Sequence, residues 1–298
     1  MASVVIYGFA YTGLVRALAQ IESINLRLLP QSINAPPTSY HVHMTNQNSI
    51  SINKILVTGM SGLIGGASGR ELAKRGYEVS ALNRKDVPGF PTTRADITDL
   101  DAIRPAFEDI DCVVHMAAYL GPSDAEQLSV NIEGTYNVYE AAKDAGVKRF
   151  VFGSSGATQM GYEREEPILS MVEARYDDIP DPPGRVYHDS PARPDRMYGV
   201  AKIAGEVMGR YYSETHGMSV ICIKLGRVTA ENKPDSPRNA AVYLSLRDAA
   251  QIVWRCVEAP ADIRYDIVYG VSDNRTRFRD LEHTTKLLGY VPQDGWSW

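Results

Sequence analysis

The nine residues TGMSGLIGG, Thr58 to Gly66, decide the fold of this chain. The apolar run 55–57 before them predicts a short buried strand, and the segment 70–75 after them predicts a helix. A strand, a glycine turn and a helix can hold a dinucleotide pyrophosphate, because glycines permit a tight turn and a helix N-terminus offers unpaired N–H groups. The spacing is GxxGxxG, and a glycine cluster alone does not establish a nucleotide site. The residues predicted to surround the pyrophosphate are Gly59, Ser61, Gly62, Leu63, Ile64 and Gly65.

The composition is that of an ordinary globular protein. Its 298 residues suffice for one large domain or two small ones, and 44% of them are hydrophobic. The net charge of −5 gives no electrostatic reason to expect nucleic acid as a partner, and no apolar run is long enough to cross a bilayer. Three scattered cysteines predict buried, reduced thiols in a cytoplasmic protein, because their spacing suits neither a disulfide framework nor a metal site.

The first 52 residues do not share the pattern of the rest. The apolar stretch 3–15 lacks the preceding Lys or Arg of a signal peptide. The stretch 34–53 is rich in Asn, Ser, Thr and Pro, which predicts a linker or disorder. We therefore expect residues 1–52 to be a dispensable or disordered extension, with Met44 as an alternative start, and residues 53–298 to form the folded unit.

From Lys54 onward, short apolar runs alternate with amphipathic segments, which predicts a parallel sheet covered by helices on both faces. Strands are predicted at 54–58, 78–82, 111–115, 149–153, 219–225 and 265–269. Helices are predicted at 63–75, 99–109, 124–145, 196–216, 246–258 and 279–288. Pro105 is expected to bend or shorten the second helix. The predicted fold class is α/β, a Rossmann-like doubly wound parallel sheet with a small C-terminal substrate-binding region, mainly 226–298.

Tyr198 and Lys202 form the second strong signal, in the sequence YGVAK. Residues four apart lie on one face of a helix, and an ammonium close to a phenol lowers the phenol's pKa from about 10. Such a pair can exchange a proton with an alcohol at neutral pH. The alternative is an exposed Tyr and Lys that happen to lie one helical turn apart.

Two serines end a predicted strand, in the sequence FGSSG. Ligands of open α/β sheets bind beyond the carboxyl ends of the strands, and a hydroxyl there can hydrogen-bond a substrate oxygen. We favour Ser155 over Ser154 as the catalytic hydroxyl. The alternative is that the serines only cap the following segment.

In this order, TGxxGxxG, SS at a strand end and YxxxK resemble the extended short-chain dehydrogenases, the NAD-dependent epimerase/dehydratase family. HMAA at 115–118 resembles the family's strand end beside the cofactor, and NIEGTYN at 131–137 resembles its NxxGTxN helix. The resemblance implies that Tyr198 is the base, that Lys202 lowers its pKa and holds the nicotinamide ribose, and that Ser155 binds the reacting oxygen. It also implies a homodimer formed through the YxxxK helix, with Met197, Met208 and Tyr212 exposed. The further cofactor contacts that it implies are Asp96, Ile97, Met116, Ala117, Ala118 and Asn131.

Within that family, the stretches 192–206 and 269–283 most resemble uronate dehydrogenases and related sugar oxidoreductases. This implies oxidation of a sugar or sugar-acid hydroxyl by hydride transfer. Lys224 stands where an arginine is expected to bind the substrate carboxylate, and Gly156 follows the serines where polar residues are expected. The implied substrate contacts are Ser154, Ser155, Gly156 and Lys224. A nucleotide-sugar epimerase with tightly bound NAD and a non-catalytic dinucleotide-binding protein remain as alternatives.

Two further features leave alternatives open. An acid at the end of the second strand would hold the ribose of NAD, but Asn83 and Arg84 stand there, and Arg84 suits the 2′-phosphate of NADP. The cofactor is therefore expected to be NAD or NADP.

The segment 163–194, rich in charge and proline, is interpreted as a solvated insertion, with a lid as the alternative.

Overall fold

The computed structural model describes residues 50–297. The expectations for residues 1–49 lie outside this range. Within it, none of the helices is long and apolar enough to span a membrane. All three cysteines are buried free thiols, as predicted.

Seven parallel strands form one sheet in the order β3-β2-β1-β4-β5-β6-β7. They are β1 (Lys54–Thr58), β2 (Glu78–Asn83), β3 (Thr92–Arg94), β4 (Cys112–His115), β5 (Arg149–Ser155), β6 (Ser219–Leu225) and β7 (Tyr265–Gly270). The predicted Rossmann-like fold is confirmed. The strand order reverses between β1 and β4, which is where such sheets bind ligands beyond their carboxyl ends. The sequence did not predict β3, a short edge strand without apolar alternation.

Helices cover both faces of the sheet. Within residues 50–297, the α-helices are α1 (Leu63–Lys74), α2 (Leu100–Ile103), α3 (Asp124–Glu126), α4 (Gly134–Asp144), α5 (Ile168–Val172), α6 (Met197–His216), α7 (Pro237–Ala241), α8 (Leu246–Val257) and α9 (Glu282–Leu288). Successive strand side chains point to opposite faces. Ile55 and Val57 therefore join a core with α1 and α8, whereas Leu56 joins a second core with α4 and α6.

Three predicted helices differ in their bounds. The helix predicted at 99–109 begins as expected, since Asp99 accepts a hydrogen bond from the Ala102 amide at 3.1 Å. It then tightens at Pro105 into a 3-10 segment, Arg104–Phe107. The helix predicted at 124–145 contains a π-helical segment, Gln127–Glu133. The last helix begins at Glu282 rather than residue 279, because Arg279 forms a β-bridge with Val186.

The segment 163–194 is packed rather than merely solvated, which corrects our interpretation. It contains the helix α5 and two 3-10 segments, the end of Gly156–Arg164 and Tyr176–Asp178. Three of its side chains, Ile168, Met171 and Val186, form a third apolar core with Ala241, Val242 and Phe278. The charge-rich parts remain at the surface, whereas the apolar residues fix the segment to the C-terminal region.

Candidate active site

The glycine turn lies against the end of β4. Gly59 has φ of +67°, a left-handed conformation that favours glycine. A Cβ atom at Gly59 would lie 2.6 Å from the Cα atom of Ala117, and one at Gly65 would lie 2.5 Å from the Gly59 carbonyl oxygen. Thr58 fixes the approach, since its hydroxyl accepts a hydrogen bond from the Ala117 amide at 3.1 Å. Glycine is therefore required at both positions, and Met116 and Ala117 border the turn.

The helix α1 begins directly after the turn. Gly62 is its N-cap and contributes no side-chain cap, and Leu63, Ile64 and Gly65 form its first turn. The first amides of a helix lack intrahelical acceptors, so this end suits an anion. Ser61 lies beside β2, with its hydroxyl 3.2 Å from the Asn83 amide oxygen. The structure thus places the predicted pyrophosphate residues around one helix N-terminus.

The end of β2 forms an open depression beside this turn. Arg84, Arg94, Ala95 and Asp96 line it. Asp96 accepts two hydrogen bonds from Thr98, through the backbone amide and the hydroxyl. Two guanidinium groups therefore lie where the sequence predicted the adenosine end of the cofactor.

Ile97 and Asn131 hold the neighbouring backbone. Ile97 is buried, and its carbonyl accepts a hydrogen bond from Asn137 at 3.0 Å. Asn131 is also buried and bonds both backbone groups of Tyr119, accepting from its amide at 2.7 Å and donating to its carbonyl at 2.8 Å. The Asn131 amide thus fixes the segment after β4, and the π-helical turn carries it there; its contact with the cofactor stays a prediction.

The structure brings Ser155, Tyr198 and Lys202 together at the carboxyl end of β5. Ser155 ends the strand, and Tyr198 and Lys202 lie on the first turns of α6. The Ser155 hydroxyl lies near the Tyr198 phenol and lowers its pKa, and it accepts a hydrogen bond from the Ala157 amide at 3.1 Å. Lys202 is buried, and its ammonium donates to the Gly153 carbonyl at 2.7 Å and lies 5.8 Å from the Tyr198 ring centre.

Burial dominates the electrostatics of these residues. It raises the pKa of Tyr198, and the nearby Ser155 hydroxyl opposes this only in part. This direction is opposite to the one predicted from Lys202. Burial also lowers the pKa of Lys202 to about 8, while the charge of Glu206 raises it. Within the protein itself, the phenol is therefore protonated at neutral pH.

Ser154 and Lys224 do not face the site, which corrects two predicted substrate contacts. Both are buried. The Ser154 hydroxyl donates to Glu206 at 2.5 Å. Lys224 donates to the carbonyl of His188 at 3.0 Å and lies 3.8 Å from the Glu206 carboxylate. Lys224, which was predicted to bind a substrate carboxylate, is thus already paired with Glu206 inside the protein.

Arg279 is a residue near the site that sequence reasoning missed. Its guanidinium is buried and donates to the Gly156 carbonyl at 3.1 Å, next to Ser155. A Cβ atom at Gly156 would lie 2.3 Å from Nη2 of Arg279, so the glycine leaves room for this group. Glu163 lies 3.9 Å from Nη2 of Arg279 and accepts hydrogen bonds from Nε and Nη2 of Arg238. The small residues that follow Ser155 in the sequence could have indicated that a bulky side chain packs against them.

His188, Asp266 and His283 form a polar cluster at the edge of the sheet. Their nitrogen and oxygen atoms lie within 4.8 Å of one another, and His283 Nε2 is 2.7 Å from Asp266. The two imidazoles stack at 3.7 Å with an angle of 8° between their planes. A ring nitrogen binds a metal ion in its own ring plane, and one ion cannot lie in two parallel planes. The cluster is therefore arranged for stacking and hydrogen bonding.

Comparison with known proteins agrees with this geometry. Residues 55–252 match the model of the NAD dependent epimerase/dehydratase family. The chain is 33% identical to NAD-dependent glucose-6-phosphate dehydrogenase of Haloferax volcanii, over 80% of this chain and 93% of that protein. It is 34% identical to L-arabinose 1-dehydrogenase (NAD(P)(+)) of the same organism, over 81% and 96%. It also resembles a mutant of uronate dehydrogenase from Agrobacterium tumefaciens complexed with NAD, at 26% identity and a TM-score of 0.67, over 82% of this chain and 86% of the other. These matches confirm the resemblance inferred from the motifs.

Proposed function

We propose a sugar dehydrogenase function for this chain, which belongs to the NAD dependent epimerase/dehydratase family. The reaction is oxidation of a sugar or sugar-acid hydroxyl with NAD or NADP. One observation carries the proposal: Ser155, Tyr198 and Lys202 meet at the carboxyl end of β5, on the side of the sheet where the glycine turn lies. A dinucleotide-binding protein without activity would not need these three groups together.

The residues present fit a dinucleotide. The close packing of Gly59 against Ala117 and of Gly65 against Gly59 leaves only backbone atoms at these two positions of the turn. The uncapped N-terminus of α1 complements the pyrophosphate, and the depression at Arg84 complements the adenosine end. When bound, the nicotinamide accepts the hydride. The residues that would hold the cofactor are Gly59, Ser61, Gly62, Leu63, Ile64, Gly65, Asn83, Arg84, Asp96, Ile97, Met116, Ala117, Ala118, Tyr198 and Lys202.

In the proposed mechanism, this chain binds the substrate hydroxyl and removes its proton. Ser155 donates a hydrogen bond to the hydroxyl oxygen, and the Tyr198 phenolate takes the proton as the hydride leaves the same carbon. Because burial raises the pKa of Tyr198, its phenolate needs a nearby positive charge. The ammonium of Lys202, one helical turn away, supplies that charge.

A substrate screen tests this function. We expect L-arabinose, glucose 6-phosphate or glucuronate, supplied with NAD or NADP, to give net reduced cofactor, measured by its absorbance. The names of the relatives motivate these three probes. Conversion of UDP-glucose to its epimer without net reduced cofactor would instead support the epimerase alternative. Absence of both reactions, with cofactor binding retained, would support the non-catalytic alternative.

The proposed homodimer uses the exposed face of α6. Val200, Val207 and Tyr211 lie on one stripe of this helix, and Val207 is 63% exposed. The predicted exposure of Tyr212 is wrong, because Tyr212 is buried and stacks on Tyr139. Light scattering should give a dimer mass for the native chain and a monomer mass for Val207→Glu.

We further propose that the enzyme works in the cytoplasm and that residues 1–52 are dispensable. The buried free thiols support the first proposal, and the start of the family match at residue 55 supports the second. A chain beginning at Met44 should keep the turnover of the full chain.

A further inference from the structure

A buried carboxylate lies behind the proposed catalytic residues. Glu206 is one helical turn beyond Lys202 and two turns beyond Tyr198, on the same side of α6. Its side chain is only 8% exposed. Charged side chains are rarely buried without partners, because removing them from water is costly. The partners of Glu206 therefore indicate what it does.

The carboxylate connects three elements of the fold. One oxygen accepts a hydrogen bond from Ser154, the residue before Ser155 at the end of β5. The other oxygen lies 3.8 Å from the ammonium of Lys224 on β6. The strand end that carries Ser155 is thus fixed to the helix that carries Tyr198.

The same carboxylate balances two buried ammonium groups. Lys202 and Lys224 are each 3% exposed. Burial lowers the pKa of both lysines, and the charge of Glu206 raises both. Burial also raises the pKa of Glu206, and Lys224, the hydrogen bond from Ser154 and Lys202 oppose that rise. The other titratable groups that influence this region are His115, Tyr139, Asp189, Cys222, Tyr265 and Tyr269. Burial raises the pKa of the three tyrosines and of Cys222, and it lowers the pKa of His115 to about 3, so these five groups are neutral at pH 7. Asp189 adds negative charge and Arg279 adds positive charge near Lys224.

We infer that Glu206 is a positioning residue of the active site, acting through Lys202 and Ser154. Its negative charge keeps Lys202 an ammonium, the form that stabilises the Tyr198 phenolate. Its hydrogen bond with Ser154 keeps the neighbouring Ser155 hydroxyl beside that phenol. The catalytic consequence rests on the proposed function, whereas the effect on Lys202 does not.

The charge effect can be measured without any substrate. The Nζ signal of Lys202, assigned by its loss in Lys202→Met, is followed by NMR as the pH is raised. In the native protein we expect Lys202 to lose its proton near pH 8. In Glu206→Gln the shape is kept and the charge is lost, so the midpoint should fall by roughly one pH unit. Glu214→Gln is the matched control, because Glu214 lies on the same helix, is exposed and pairs with Arg210.

Turnover supplies the second readout, with whichever probe sugar is oxidised. In Glu206→Gln, the fall of kcat at alkaline pH should begin at lower pH, and kcat should fall about tenfold with KM for NAD little changed. An unaltered Lys202 midpoint and an unaltered pH profile would overturn the inference. Full turnover in Tyr198→Phe would instead overturn the proposed function, and the NMR result would still stand.

A second variant separates the effect on Lys202 from a loss of stability. Glu206→Gln leaves the Lys224 ammonium buried without its partner, which destabilises the fold. The double variant Glu206→Gln/Lys224→Met removes that charge. We expect it to recover the melting temperature of the native protein but to keep the lowered Lys202 midpoint. If Glu206 had only a structural role, the double variant would recover both the native melting temperature and the native Lys202 midpoint.

Discussion

The cofactor end and the substrate end of the site are built by different means. At the cofactor end, Gly59 and Gly65 pack backbone on backbone within one turn, against the strand beside it. At the substrate end, the chain after Ser155 is held by Arg279, 123 positions away in sequence. The first arrangement is encoded locally, whereas the second depends on contacts between distant segments. The two ends should therefore respond differently to substitution.

The largest expected effect falls where the two ends meet. Tyr198→Phe removes the proton acceptor but keeps the ring, so turnover should fall by about 10²–10⁴-fold. Affinity for NAD, measured by fluorescence titration, should stay within a small factor of the native value. Tyr211→Phe, an exposed position on the same helix, is the control and should keep full turnover. Retained turnover in Tyr198→Phe would refute its assignment as the base.

The second effect tests the local end. Gly59→Ala places a Cβ atom against the backbone of Ala117 at a positive φ, so the free energy of unfolding should fall by roughly 3 kcal/mol or more and NAD binding should be lost. Gly76→Ala is the control, because Gly76 has φ of +93° but no atom within 4 Å of its added Cβ. It should cost only about 1 kcal/mol in denaturant unfolding. Equal losses would show that strain alone, and not close approach, requires glycine at the turn.

The sequence predicted those parts of the molecule whose structure is determined within one short segment. The glycine turn, six strands and the Tyr198–Lys202 pair follow from spacing within short segments. The substrate end does not, because its decisive neighbours are distant. Every residue of β6 is buried, so Lys224 needed an internal partner, but no spacing rule connects it to Glu206. Likewise, Arg279 lies before α9 and is placed by its bridge with Val186, not by helical periodicity.

The third effect tests the distant end. Arg279→Lys keeps the charge but loses the guanidinium that donates to the Gly156 carbonyl, so the free energy of unfolding should fall by about 1–3 kcal/mol. KM for the sugar should rise while affinity for NAD stays unchanged, because the change lies next to Ser155. Arg275→Lys, at an exposed position nearby, should change neither quantity. Weakened NAD binding in Arg279→Lys would contradict the separation of the two ends.

A fourth effect concerns the amino ends of the strands, where Asp111 precedes the central strand β4, away from both ends of the site. Burial raises the pKa of Asp111, but hydrogen bonds from Lys148 and from the Lys54 and Asn53 amides outweigh it and lower the pKa to about 2. The stabilisation is therefore complete above the unfolded value near 4 and is lost as the pH falls through about 2. Asp111→Asn should reduce the free energy of unfolding by about 2 kcal/mol at pH 7, and the difference should shrink as the pH falls and vanish below about pH 2. Kinetic constants at pH 7 should not change.

The smallest effect concerns cofactor choice, at the exposed margin of the cofactor end. Arg84 and Arg94 line the depression at the end of β2, where a 2′-phosphate would meet positive charge. Arg84 is exposed, so solvent screens its interaction, and Arg84→Ala should lower the ratio of kcat/KM for NADP to that for NAD about tenfold, or about 1.4 kcal/mol. Lys74→Ala, at the far end of α1, should leave the ratio unchanged, which excludes a general effect of net charge. A strong NAD preference in the native protein, unchanged by Arg84→Ala, would show that this arginine is only a surface residue and that the adenosine end is fixed by backbone alone.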